Sequence, residues 1–392
     1  MNKLRLGVIG TGSVVREIYQ YLYFQSEYSS LLSIEGAADP DAQALHDFAD
    51  KHQIPRDRVF GNYEEMIDRL DLDAVQVNTP DSLHCQPTVH ALARGLDVML
   101  PKPLAETISD AHVMLAAARD HHRLMAVDFH KRDDPRIREV AAQYQRGVYG
   151  RFQTAVWYML DKLLVADPNH TPRFFASADF AEKNSPISFL TVHMVDAFLR
   201  IVSLRPTRVR TVAFAQKLPS LRPVAVNGYD LCDTEIVFSG GGVAHIITGW
   251  HLPNTAPAIT VQSARIICTD GLVDLALDAS GLRDITAEGI EERNSLFRNF
   301  ETDGTVSGYG MDYPGRLYET LVRHRDGNLG ADEYAEMMSP FQVGFWATVV
   351  CEAAQQSLAR GTPCRDGVVH GAEIEAEALL RERLGGAAED YL

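Results

Sequence analysis

A chain of 392 residues with 46% hydrophobic and 23% charged content has ordinary globular composition and enough length for two domains, each with its own core. Its formal net charge of -16 leaves no cationic reservoir, and no run of Lys and Arg interleaved with aromatics is present to track phosphates, so nucleic acid is not an expected partner. No apolar stretch is long enough to span a bilayer, and Cys85, Cys232, Cys268, Cys351 and Cys364 are scattered without a C-x-x-C pair, which signals neither a disulfide framework nor a zinc site. Met1 to Gly12 lacks a long apolar h-region and a small-residue cleavage site, so a reducing, cytoplasmic setting is expected.

The first third alternates short apolar runs with amphipathic stretches, the pattern of a parallel sheet covered by crossover helices. Leu4 to Ile9 is the first predicted strand, followed by a helix from Val14 to about Leu22 and a strand from Ser33 to Ala38 that ends at Asp39. A helix over Ala42 to Lys51, a strand over Ala74 to Asn78, a helix over Gln86 to Arg94 and a strand over Asp97 to Leu100 come next. Thr79-Pro80, Gly95, Pro101 and Pro103 punctuate them, and a helix from Ser109 to His121 leads to a last strand from Leu124 to Phe129.

Beyond about Arg132 the segments lengthen and become rich in β-branched residues, which predicts a largely antiparallel open sheet with helices on one face. Phe152 to Leu160, Arg208 to Phe214, Asp233 to Phe238, Val243 to Trp250, Thr260 to Cys268 and Leu272 to Leu277 are its candidate strands. Helices are expected over Phe189 to Val202 and Pro340 to Arg360. The predicted fold is therefore α/β plus α+β, with a Rossmann doubly wound parallel sheet in residues 1–130 and a C-terminal, largely antiparallel open-sheet domain in residues 131–392. Glu288 to Asp312 shows no period, and Gly304 and Gly308 suggest a loop that could close over a substrate.

Gly10-Thr11-Gly12 follows a strand and, with Ser13 and Val14, opens a helix, where backbone amides can approach a pyrophosphate. The third glycine of the usual fingerprint is replaced by Val15. Asp39 ends the second strand of the same unit, where a carboxylate can accept the adenosine ribose hydroxyls and repel a ribose phosphate, favouring NAD without excluding NADP. Asp39 equally suits the start of the turn Asp39-Pro40-Asp41.

These features, with Asn78-Thr79-Pro80-Asp81-Ser82-Leu83-His84, Pro101-Lys102-Pro103, Phe129 to Pro135, His193-Met194-Val195-Asp196 and Ser357 to Gly361, fall in the order and spacing of the glucose-fructose oxidoreductase and inositol dehydrogenase (Gfo/Idh/MocA) family, which the chain resembles over most of its length. The resemblance implies that Asn78, Thr79, Pro80 and His84 line the nicotinamide half of the cofactor, His84 otherwise being an exposed helix-start residue. It implies that Lys102 is the catalytic lysine, its pKa lowered beside a cationic nicotinamide so that it exchanges a proton with a substrate hydroxyl. His193 becomes the assisting group, with Asp196 three residues on along one helical face; the pair also fits a core histidine satisfied by a carboxylate. Lys102, His193 and Asp196 are the expected substrate-binding residues.

The chain departs from the family at two positions, with Pro101 and Phe189 where acids usually stand. A metal site is not expected: His121, His122 and His130 lie near Asp128 and Asp133 without a facial ligand set and read mostly as solvated, although His130 matches a polar position near the family's cofactor. Trp157, Tyr158 and Lys162 suit either a sugar-binding rim or the core. The resemblance implies hydride transfer between nicotinamide and a sugar or polyol carbinol carbon, with a small-molecule carbohydrate as partner, and a C-terminal domain that binds substrate and forms a homo-oligomer, dimer or tetramer. Two alternatives stay open, a redox-neutral sugar epimerase or eliminating glycosidase that oxidises its substrate transiently, and a non-catalytic nicotinamide-binding sensor.

Overall fold

The computed structural model describes residues 2–175, 177–277, 282–287, 289–293 and 297–392. The chain divides into two compact units, Met1–Asp133 with Leu296–Phe345, and Asp134–Ser295 with Trp346–Leu392. The linear division expected at residue 130 contains no return of a late segment to the first unit.

In the first unit β1 (Leu4–Ile9), β2 (Leu32–Ala38), β3 (Val59–Phe60), β4 (Ala74–Val77), β5 (Asp97–Pro101) and β6 (Met125–Asp128) form a parallel sheet in the order β3-β2-β1-β4-β5-β6. That doubly wound order reverses between β1 and β4, the crevice where such sheets take ligands. All four residues of β4 and of β6 are buried, as expected of parallel strands covered on both faces. The crossovers contain α1 (Gln20–Phe24), α2 (Ala42–His52), α3 (Tyr63–Arg69), α4 (Cys85–Ala93) and α5 (Ile108–Asp120). Side chains of Asp41 and Thr107 accept the first free amides of α2 and α5, so each N-terminus is closed locally.

Most expected elements are present within a residue or two, and the differences have local causes. The helix after the glycine loop starts near Ser13 but widens into a π-helical segment at Val15–Tyr19, beginning at the residue that replaces the third glycine. β3, with two residues, is too short to show a period. Gly308, at φ +113°, caps a 17-residue helix, Tyr309–Arg325, in place of the latter part of the expected loop, whereas Glu288 at its start lies outside the described residues.

The second unit is built on β7 (Phe152–Lys162), β8 (Pro206–Phe214), β9 (Leu231–Phe238), β10 (Val243–Leu252), β11 (Thr260–Cys268), β12 (Leu272–Ala276), β13 (Leu282–Thr286) and β14 (Gly289–Arg293), in the order β14-β13-β12-β11-β7-β10-β9-β8. Short strands at Val368–His370 and Thr362–Pro363 extend it beyond β8. Its neighbouring pairs are antiparallel except β7 with β10, which is parallel. β9 alternates strictly between half-buried and buried residues, so one face of the sheet packs inward. Phe198, on the helix Val192–Val202, meets that face through Phe152, Trp157 and Phe238, with ring centroids 5.1, 5.8 and 5.3 Å apart. Trp157 is fully buried, while Tyr158, its neighbour on the opposite face, is 38% exposed. The expected helix from Pro340 begins only at Phe345, because Gly344 adopts φ +81° against the Phe129 ring.

Candidate functional site

Gly10 sits where β1, β2 and β4 converge. Its N–H donates to the Ala38 carbonyl at 2.8 Å, and the Asn78 N–H donates to the Ile9 carbonyl at 2.7 Å. With φ at +84°, and with the Asn78 carbonyl oxygen only 2.8 Å from where a Cβ would stand, the position accepts glycine alone. At Gly12, by contrast, an added Cβ would meet nothing within 4 Å, which leaves open space at the loop crest beside the helical residues that start at Ser13 and Val14. Asp39 braces this loop: its Oδ2 accepts the Thr11 N–H at 2.6 Å and the Thr11 hydroxyl at 3.1 Å, and its Oδ1 accepts the Asp41 N–H at 2.9 Å. Oδ1 keeps acceptor capacity, so turn formation and ribose binding are compatible roles. Open space at a helix start and a carboxylate at the end of β2 fit a dinucleotide's pyrophosphate and ribose.

The loop after β4 is fixed from below. Asn78 is buried, its Nδ2 donates to the Gly10 carbonyl at 3.4 Å, and its Oδ1 accepts from Gln76 at 2.9 Å. Thr79 Oγ1 is buried without a hydrogen-bond partner, a polar atom for which a ligand group would be a natural complement, and Pro80 beside it is exposed. His84 is fully buried, so it is not the exposed helix-start residue that its place in the chain allows. Its Nδ1 lies 3.0 Å from the Pro103 carbonyl and its Nε2 3.1 Å from the Thr79 carbonyl. Burial pushes its pKa down, against the opposing effect of Asp81 and of these carbonyls. The two nitrogens face main-chain carbonyls on either side, and a neutral ring donates to one of them while packing against the other, so the ring links the β4 loop to the lysine turn and shapes the site from behind. Lys102 follows β5 directly, is half-buried, and precedes a cis peptide to Pro103.

His130 corrects the expectation that it is solvated, with its side chain 17% exposed, and Asp128 beside it is buried. Asp128 pairs in register with Pro101 at the end of β6, and its side chain is 3% exposed. The Tyr19 hydroxyl donates to its Oδ2 at 2.8 Å, while Oδ1 is buried without a partner in hydrogen-bonding geometry, 3.9 Å from His130 Nδ1. Burial pushes this carboxyl up to about 7, with Tyr19, the His130 amide and Arg132 opposing the shift. The His130 ring lies 5.0 Å from that of Phe297 and 6.4 Å from that of Tyr309. Burial pushes its pKa down to about 3, aided by the charges of Lys131 and Lys102. This burial is a property of the assembled strand, whose four residues are all buried, and has no local sequence signal. His121 and His122 are exposed, as expected.

In the second unit His193 is half-buried and Asp196 buried on the helix Val192–Val202. Thr191, at the start of that helix, shares a 2.7 Å hydrogen bond with Thr248 on β10. Phe189 falls in the π-helical segment Ile187–Thr191 and packs with Phe175 and Phe180, at centroid distances of 5.6 and 5.1 Å. At the position where the resemblance implies an acid, Phe189 sits in an aromatic cluster. No helix among the described residues is long and apolar enough to cross a membrane.

Residues 4–129 match the oxidoreductase family with an NAD-binding Rossmann fold, Gfo/Idh/MocA. Over 258 residues the chain is 24% identical to D-glucoside 3-dehydrogenase of Escherichia coli strain K12, covering 64% of this chain and 71% of that protein. Over 358 residues it is 24% identical to the uncharacterized oxidoreductase YrbE of Bacillus subtilis strain 168, covering 91% of this chain and 95% of that one. An inositol dehydrogenase homologue from Azotobacter vinelandii, solved with NADH and myo-inositol, has the same fold, with a TM-score of 0.75 at 17% identity over 95% of this chain and 98% of its own. Sequence pattern and fold agree over residues 4–129, which match the NAD-binding Rossmann domain of the Gfo/Idh/MocA oxidoreductase family, and the chain as a whole is similar to these oxidoreductases.

Proposed function

We propose that the protein is an NAD-dependent dehydrogenase acting on a secondary hydroxyl of a sugar or polyol. The observation that carries this reading is the placement of Lys102 at the carboxyl edge of the doubly wound sheet, on the strand next to β4, whose end is bonded to the glycine loop. Support for the substrate class comes from the similarity to D-glucoside 3-dehydrogenase.

In this reading Gly10 to Val14 hold the pyrophosphate, Asp39 the adenosine ribose, and Asn78, Thr79 and Pro80 the wall of the nicotinamide pocket, with His84 fixing that wall to the lysine turn. Bound NAD supplies the hydride acceptor. Lys102 takes the proton from the substrate hydroxyl as its carbon is oxidised, and His193, oriented by Asp196, assists proton transfer. The cytoplasm as compartment and a homo-oligomeric assembly, dimer or tetramer, complete the proposal.

The test is reduced-nicotinamide absorbance with a panel of monosaccharides, glycosides, anhydrosugars and inositols, with NAD and NADP assayed separately. A rise with NAD and one sugar class supports the reading, and Lys102→Ala should lower kcat at least a thousandfold while leaving NAD affinity within about threefold. Tight NAD binding without absorbance change would turn the assignment to redox-neutral chemistry or a sensor.

A further inference from the structure

Asp128 is a carboxylic acid placed where a dinucleotide site meets its lysine, and the mechanism above does not use it. One oxygen is held by Tyr19, the other is buried and unpartnered, and the residue is in register with Pro101, the position before Lys102. We propose that Asp128 is a charge-compensating positioning residue that gives up its proton when the cationic nicotinamide binds, so that NAD+ is held near a carboxylate and the uncharged reduced ring near a carboxylic acid. The inference rests on the NAD-dependent reading above. In the step, the carboxyl O–H bond breaks and the proton passes to water; no bond forms to the cofactor.

The groups facing Asp128 leave it as the one poised to respond. Tyr19 and Tyr318 are held well above the phenol range by burial, and Tyr23 is raised for the same reason, so all three stay protonated. His130 is neutral, and Arg132 donates to the carbonyls of Gln342 and Phe341 at 2.6 and 2.9 Å. Lys131 and Lys102 act on the His130 side. Pro101 carries no charge, and Asp128, in register with it on the adjoining strand end, is a carboxyl that can balance a cationic ring. A positive charge several ångströms away in a partly screened interior shifts a carboxyl downward by about one to two pH units.

The experiment is calorimetric titration of the full chain with NAD+ and with NADH, in buffers of different ionisation enthalpy, from pH 6 to 8.5. A carboxyl titrating near 7 should release about half a proton per NAD+ at pH 7, more at pH 6 and almost none at pH 8.5, with NADH releasing none. NAD+ affinity should accordingly rise severalfold between pH 6 and pH 7.5. Asp128→Asn should abolish both the release and the pH dependence of the NAD+ to NADH affinity ratio. Tyr19→Phe keeps the carboxyl but removes its donor, so the release window should move to higher pH; this variant also tests the proposal should the first not fold. Equal release from Asp128→Asn, which would assign the proton to Lys102, or an unmoved window in Tyr19→Phe, overturns the inference. NAD+ binding without proton release overturns it alone, whereas no NAD+ binding by the folded chain overturns the NAD-dependent reading and this inference with it.

Discussion

Gly10 combines a left-handed backbone with a carbonyl 2.8 Å from where a side chain would begin, and that carbonyl belongs to the main chain of the β4 end. Gly10→Ala should therefore cost roughly 1–3 kcal/mol of stability by urea unfolding and remove NAD binding, because the strain and the clash fall on the same loop. Asp39→Asn retains the acceptor for Thr11 but loses the charge; NAD affinity should fall about tenfold and NADP should gain relative to it, read by fluorescence titration. Asp128 gives a pH signature in the unliganded chain. Its carboxyl titrates at about 7 when folded, well above its unfolded range, so its contribution to stability is fully present below about pH 4 and is lost as pH rises through 7. Asp128→Asn should gain on the order of 2 kcal/mol relative to the parent between pH 5 and pH 8, measured by denaturant unfolding at each pH. Equal pH dependence of the two proteins would show that the buried carboxyl does not carry the shift.

At the scale of elements, the lysine turn is held by the start of α4. His84 bridges Thr79 and Pro103, so His84→Ala should loosen the Lys102 turn and lower kcat by roughly tenfold to a hundredfold, with NAD affinity changed far less. A kcat unchanged within twofold would remove the staple from the account. Strands β1, β2, β4, β5 and β6 were legible because buried parallel strands are continuous apolar runs flanked by glycine, proline or a cap. The π-helical segment at Val15–Tyr19 and the delayed start at Phe345 were not, since both depend on how the helices meet neighbouring side chains.

For the whole molecule, the late segment 296–345 belongs to the first unit, and Arg132 is one of its attachments. Its guanidinium bonds two carbonyls of that segment and the Tyr313 hydroxyl at 3.3 Å, and it lies 4.8 Å from the Phe129 ring centroid. Arg132→Ala should destabilise the chain by roughly 2–4 kcal/mol, because buried carbonyls lose charged donors, and should expose the segment to limited proteolysis. The sequence by itself determined the doubly wound sheet, the antiparallel-rich second sheet and the glycine-loop context of Gly10 and Asp39, since strand periodicity, turn chemistry and positive φ are set by residues close in the chain. Only the tertiary structure decided that His84 is a staple, that Trp157 is core, and that Asp128 is a buried acid under Tyr19. Those outcomes depend on burial and on partners far away in the chain, and desolvation by distant segments leaves no local pattern to read.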